Sequence, residues 1–259
     1  MNDSPFDSVN DPLLADALRS LLEAECTPSV VRAFEAEQAV GLSLSRTLAE
    51  SGFEDALLPE AQGGAGLSLA QAFPLFELCG RYLLPVPLPE QMVTRASGFE
   101  PTLEMAACLN AAKMAGALQK VLEMSLQFAN DRQQFGRPIG KFQAIQHQLA
   151  VMAEHVMAAR MAAQLGCQSP ALQPATMNVA VAKARANEAA VEVAGLAHSI
   201  FGAIGFTAEH DLQLYTRRLH AWRQSAGTEA YWQEVLGEAV LQSPHAMSLD
   251  ILRTLTATH

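Results

Sequence analysis

The chain is poor in aromatic residues, at 6% of 259 positions, and alternating β-branched runs are almost missing. No sheet of consequence can be built from such a sequence. Basic residues are also scarce, with 17 Lys and Arg against 27 Asp and Glu and a formal net charge of −10. That balance excludes nucleic acid as a partner, because phosphate binding needs a basic face. An anionic ligand would find no general attraction and would depend on local Arg or Lys. The four cysteines, Cys26, Cys79, Cys108 and Cys167, stand far apart in the sequence and have neither zinc nor redox spacing. They read as reduced, buried thiols of a cytoplasmic protein. Seven histidines form no metal pattern. His147 and His155 share a helix face, but no carboxylate or thiol completes a site, so no metal is assigned. There is no phosphate-binding P-loop and no Ser-His-Asp arrangement. No uninterrupted apolar stretch is long enough to span a bilayer, which argues against a membrane partner. The acidic start, Met1 to Asp7, lacks the apolar run of a secretory signal.

What remains is half hydrophobic and rich in Ala, a composition that favours close-packed helices. The expected fold is all-α, with an N-terminal helical subdomain over residues 1–100 and a C-terminal four-helix bundle, up-down-up-down, over residues 101–259. Residues 1–10 read as a frayed lead-in. Helices are expected over about 12–25, 29–41, 44–52 and 68–82. The last of these carries Leu69, Ala72, Phe73, Phe76 and Leu83 on one face. Pro85-Val86-Pro87-Leu88-Pro89 reads as an extended connector, followed by a short helix from Glu90 to Ala96 that ends at Gly98. Beyond Thr102, a good N-cap, long helices begin: 103–130, 141–166 and 175–201. Gly202 and Gly205 break the last of these. A short helix follows Thr207 or starts near Glu209, and two more are expected over 228–241 and 247–256.

The stretch from Asp131 to Arg160 holds two devices in series. The loop Arg132-Gln133-Gln134-Phe135-Gly136-Arg137-Pro138 sets a guanidinium, amides and an aromatic ring beside a Gly that permits sharp turning. A long helix follows, on which Phe142, Ile145, Leu149, Met152, Val156 and Ala159 step by three and four residues into a narrow apolar seam. Such a loop suits a flat anionic ligand held against a bundle. A charged interhelical turn would also produce this pattern.

The wording of this stretch resembles the C-terminal domain of acyl-CoA dehydrogenases, where an R-x-x-F-G loop precedes a helix opening F-Q-x-I-Q. The run from Leu57 to Leu67, LLPEAQGGAGL, is similar to the family's P-E-x-x-G-G-x-G-L loop. The run from Phe201 to His210 is similar to its late Gly-rich turn, and Asp211 to Arg218 continues the match. The resemblance extends from about residue 40 to residue 240. In the family a β-barrel domain separates the front helices from the rear bundle. Here Leu88 lies too close to Leu103 for a barrel to intervene.

The resemblance implies a set of FAD-contacting positions. Arg132 matches an Arg that reaches a neighbouring subunit's FAD pyrophosphate; a guanidinium can hold phosphate oxygens bidentately, although a surface Arg would look the same. Gln134 matches a polar position on the same phosphates. Phe135 matches a ring packed on the cofactor, or else a core Phe. Gln143 matches a Gln at the start of the next helix. Gly202, Ala203 and Gly205 fall on the nucleotide turn, with Ala203 in place of a Gly. Ser199 stands where a Gln commonly binds adenosine; Ser is shorter, so that contact would be weakened or passed to His198. Thr228 matches a Thr near FAD, or is simply an N-cap. The carboxylate base of the family's Y-E-G-T motif falls on Ala226, and the alternative base position falls near Ala106. A methyl group removes no proton, so no catalytic residue is assigned. Glu104 and Glu229 are the nearest carboxylates. Both also suit the N-terminal turns of helices, where an acid complements the dipole.

Three functions follow. The first is an acyl-CoA dehydrogenase-like subunit without its own base that lends FAD-binding residues to a full-length paralogue; chains of this kind pair in bacterial steroid side-chain degradation, and the run Thr207 to Arg218 is similar to that branch. The second is an active FAD-dependent acyl-CoA dehydrogenase with a displaced base. The third is a purely structural helical oligomer. In every case the chain is expected to assemble, as a homo-oligomer or hetero-oligomer, because loss of a barrel should uncover apolar surface on the front helices and on helix 103–130.

Overall fold

The computed structural model describes residues 12–36, 41–243, 249, 250 and 253. Ten α-helices carry the fold among these residues. The front group is α1 (Pro12–Glu25), α2 (Pro28–Ala36), α3 (Gly41–Glu50), α4 (Leu69–Arg81) and α5 (Leu88–Ser97). The rear group is α6 (Leu103–Asp131), α7 (Gln143–Gly166), α8 (Thr176–Phe201), α9 (Leu212–Gln224) and α10 (Glu229–Gln242). Helices α6, α7, α8 and α10 pack as the bundle, with α9 lying across α6 and α8. The expected lead-in over 1–10 and most of the expected helix 247–256 lie outside the described residues.

Several helix ends are set by side chains that serve the first unpaired N–H groups. Ser68 and Gln71 form a reciprocal capping box at α4. Thr102 Oγ1 accepts from Met105 N at α6, and Thr228 Oγ1 from Tyr231 N at α10. Gly98, at φ 77°, closes α5 in the left-handed region, a conformation Gly adopts without strain.

Four expectations need correction. The Pro-rich stretch is not extended to its end: Pro87 caps α5, and Leu88 and Pro89 form its first turn, where Pro costs no hydrogen bond. The 131–140 loop is a small hairpin, with β1 (Gln133–Gln134) antiparallel to β2 (Arg137–Pro138). The apolar stretch missed in the sequence is Thr176–Phe206, long and apolar enough for a bilayer, with 44% of its window buried. The bundle explains that character, because α8 packs against α6, α7, α9 and α10. Finally, the apolar surface expected on α6 and the front helices is limited to a few side chains, Leu103 and Leu126 of α6 and Leu13 of α1. Leu109, Met114, Leu118 and Val121 are fully buried. The exposed large apolar side chains include Met157 and Met161 on α7, Val191 on α8, Leu241 on α10, and Phe135, Ile204 and Phe206 at one end.

The front helices leave α6 little open surface because α4 crosses it backbone to backbone. A Cβ on Gly80 would stand 1.7 Å from the Lys113 carbonyl oxygen, and one on Gly116 would stand 1.9 Å from that of Glu77. Ion pairs frame the crossing: Arg81 holds both oxygens of Glu123 at 2.7 Å, and Arg160 of α7 holds Glu77 at 2.6 and 3.1 Å. Only five residues, 98–102, separate α5 from α6. The two helical groups therefore join directly, with no barrel between them.

Candidate functional site

The residues singled out by sequence gather at two separate places. At one end of the bundle α6 finishes, the hairpin turns and α7 starts, while α8 finishes in the 3-10 turn Gly202–Phe206. Phe128 of α6 stacks on Phe201 of α8 with ring centroids 4.3 Å apart, and Gln148 of α7 donates to Ser199 of α8 at 3.1 Å. Arg132, Gln134, Phe135 and Gln143 thus share an end with Gly202, Ala203 and Gly205, within a single chain.

The hairpin turn is built from Phe135 at φ 52° and Gly136 at φ 79°. Positive φ at both central residues is the geometry that matches a two-residue hairpin to strand twist. Gly takes it freely, whereas Phe is strained there. The Phe135 ring is 90% exposed, so the core reading of this residue is wrong. It meets Phe142 edge-on at 6.1 Å, and Phe142 in turn lies under the Arg137 guanidinium at 4.3 Å. The Arg132 side chain is exposed, with no ion pair to any described residue.

Gly202 has φ 63° and ψ −145°, a region essentially reserved for Gly, and a Cβ there would meet nothing within 4 Å. Gly205 has a different reason for being Gly: a Cβ would come within 2.9 Å of Phe201 Cβ and 3.1 Å of Leu212 Cδ2. His198 lies beneath this turn. Its ring stacks on Phe206 at 4.2 Å and its Nε2 pairs with Thr216 Oγ1 at 3.1 Å, while its buried Nδ1 has no partner. Burial, then the nearby His220, lowers its pKa and favours the neutral ring. Beside this end runs an open groove of about 470 Å³, lined by Phe128 and Phe201 and by Lys120 together with Glu123, Asp131 and Asp211.

The second place is the α9–α10 connection, which carries Ala226, Thr228 and Glu229. It lies well down the bundle, beside Asn110 of α6, which donates to Ser225 Oγ at 3.3 Å, and beside Lys183 of α8. At 1.5 Å per residue, Lys183 and Ser199 stand about 24 Å apart along α8. Ala226 is another non-Gly residue in the left-handed region, at φ 55°. Its carbonyl accepts from Trp232 Nε1 at 2.9 Å. Glu229 is engaged by Arg223 at 3.4 Å and by Gln233 at 3.3 Å. Glu104 sits in the first turn of α6, about 9 Å along the axis from Asn110. Thr228 is the N-cap of α10.

Two features escaped the sequence reading. Cys108 and Cys167, 59 residues apart, meet in the core with Sγ atoms 3.1 Å apart. The hydrogen bond with Cys108, then burial, raises the Cys167 pKa, so the Cys167 thiol packs as an apolar group. Lys183, fully buried, donates to Asn187 Oδ1 at 2.7 Å and to the carbonyls of Trp222, Gly227 and Arg223 at 3.0, 3.2 and 3.4 Å. The only sequence signal was a lone Lys four residues before an Asn, amid Ala and Val.

Residues 99–241 match the family described as acyl-CoA dehydrogenase, C-terminal domain. The chain is 28% identical to acyl-CoA dehydrogenase IpdE2 of Mycolicibacterium smegmatis, over 83% of this chain and 94% of that protein. It is 37% identical to IpdE2 of Mycobacterium tuberculosis, over 47% of this chain and 37% of that protein. Among solved structures, the ChsE4-ChsE5 complex from Mycobacterium tuberculosis superposes with a TM-score of 0.80 at 17% identity, over 95% of this chain and all of that one. Butyryl-CoA dehydrogenase from Megasphaera elsdenii superposes with a TM-score of 0.51 at 27% identity, over 59% of this chain but only 38% of that one. The latter match is confined to part of each chain, whereas the former runs the length of both. The chain belongs to the acyl-CoA dehydrogenase family, in a short form that joins its front helices to its rear bundle without a middle domain.

Proposed function

We propose that this chain is a non-catalytic subunit of a heteromeric acyl-CoA dehydrogenase, lending its hairpin end to the FAD of a full-length partner. Family members are FAD-dependent flavoproteins, and the superposed ChsE4-ChsE5 structure is a complex of two chains. The observation that carries the reading is the contrast between the two places. The hairpin end offers an Arg132 guanidinium with no ion pair to any described residue, a 90% exposed Phe135 and an open turn at Gly202. These groups fit the phosphate and adenine side of a dinucleotide.

At the α9–α10 connection, the position matched to the family base is a methyl group. Glu229 is held by Arg223, and Glu104 lies more than a helical turn away. Proton abstraction needs a carboxylate within hydrogen-bond reach of the substrate carbon, and neither candidate is free to supply it. Bound FAD would supply hydride acceptance. This chain's part is then to bind the nucleotide, with Arg132 and Gln134 toward the phosphates, Phe135 against the cofactor and Gln143 at the mouth of α7. Thr228, by contrast, works as an N-cap.

The test is co-expression with a full-length paralogue, with turnover assayed on an acyl-CoA. The complex should be yellow and active. Its turnover should vanish when the partner's base is changed to Gln, and persist in Glu104→Gln and Glu229→Gln of this chain. Loss of turnover in either of these two variants, with the complex intact, would favour a displaced base here and overturn the reading.

A further inference from the structure

The connection between α9 and α10 is held far more firmly than an ordinary interhelical turn. Its backbone is strained at Ala226, φ 55°, and turns on through Gly227 at φ 93°, which Gly adopts freely. Strain of this kind persists only where the surroundings over-determine it. Three helices do so here: Asn110 of α6 bonds Ser225, Trp232 of α10 bonds the Ala226 carbonyl, and Lys183 of α8 gathers the carbonyls of Trp222, Arg223 and Gly227. A Cβ on Gly227 would fall 2.3 Å from Trp232 Nε1, so the indole and the turn interlock.

Lys183 is the unusual member. Its Nζ has four oxygen acceptors within 3.4 Å, and none is a carboxylate. An ammonium brings three N–H donors to them. A neutral amine brings two, and turns a lone pair toward the remaining oxygens. Losing the proton therefore removes one donor and leaves two of the four oxygens without an N–H, at least one of them a backbone carbonyl of the connection.

We infer that Lys183 is a proton-operated latch on the 222–228 connection, locking it when protonated and loosening it when neutral. The surrounding charges do not neutralise it. Arg223 on α9 faces it and is drawn off toward Glu229 of α10; Lys113 of α6 pairs with Glu90 of α5; Arg218 and Lys113 lie over the Trp222 ring at 5.7 and 5.6 Å. Among the described residues Asn187 on α8 is the sole side-chain acceptor. Burial, with Arg223 second, lowers the pKa of Lys183 to about 7, which brings the proton within ordinary reach. This inference is independent of any flavin or partner.

The protein carries its own reporter. Its two tryptophans, Trp222 and Trp232, both touch this connection. The experiment follows tryptophan emission of the full chain from about pH 6 to 9, with far-UV circular dichroism as a check that the helices persist. Wild type should shift to longer wavelength with one midpoint near pH 7. Lys183→Arg, which keeps its charge throughout, and Lys183→Met, which has none, should both be flat. In wild type the ¹³Cε resonance of Lys183 should titrate at the same midpoint, a reading that stands even if neither variant folds. A flat wild-type profile, an emission shift retained in either variant, or a Lys183 resonance that does not move with the emission would overturn the latch.

Discussion

Phe135 is expensive to fold. A bulky side chain at φ 52° in a two-residue turn costs on the order of 1 kcal/mol relative to a residue at home there. Its ring is spread in solvent, so packing returns little. Asn is the residue such a turn prefers before Gly. Phe135→Asn should therefore raise unfolding stability by roughly 0.5–1 kcal/mol in urea titration, while lowering flavin retention in the complex. Lys183 makes the opposite trade. The unfolded chain keeps that proton to its ordinary 10.5, whereas the folded chain releases it at about 7. The folded state thus binds fewer protons between those two values, so stability rises with pH across that window and is flat below it. Urea unfolding should show wild type gaining up to ~1.4 kcal/mol per pH unit over Lys183→Met there. Equal slopes would mean that the Lys183 pKa is not lowered by folding.

At the scale of elements, the helices were largely legible, from apolar period and from punctuating caps, Gly and Pro. Thr102 opens α6, Gly98 closes α5, and the apolar face of α4 is the expected one. What was not legible came from tertiary placement. The hairpin is a two-residue ladder set by the positive φ of Phe135 and Gly136, and no alternating pattern fits in so short a strand. Cys108 and Cys167 meet because α6 and the end of α7 pack together, which their sequence spacing conceals. Lys183 reads as an ordinary surface cation until α9 is laid across α8. The Arg132 loop and the 202–205 turn were recognisable as motifs, but their convergence at one end of the same chain required the fold.

The α4–α6 crossing is likewise invisible in sequence, since Gly80 and Gly116 look like weak points in helices. They are where two backbones touch, and no side-chain rotamer can relieve a Cβ placed against a carbonyl. Gly116→Ala should cost at least ~3 kcal/mol, the upper range for overpacking, measured by urea unfolding. A loss below the ~1 kcal/mol scale on which Ala favours helices over Gly would mean that the crossing is looser than described.

For the whole molecule, the absence of a middle domain between α5 and α6 leaves a helical body with the hairpin and the 202–205 turn gathered at one end and Ala226 at the α9–α10 connection. The exposed apolar side chains are spread over α7, α8, α10 and the hairpin end, with others at Leu13 of α1, Phe99 before α6, and Leu103 and Leu126 of α6. Association through such surfaces accords with their exposure. The measurement that tests the account most directly is flavin content per complex, for this chain co-expressed with its full-length paralogue and sized by light scattering. The account predicts a hetero-oligomer with bound FAD, and an Arg132→Ala complex of unchanged mass that has lost most of its flavin. A stable monomer beside a fully flavinated partner, or an Arg132→Ala complex that keeps all its FAD, would contradict it.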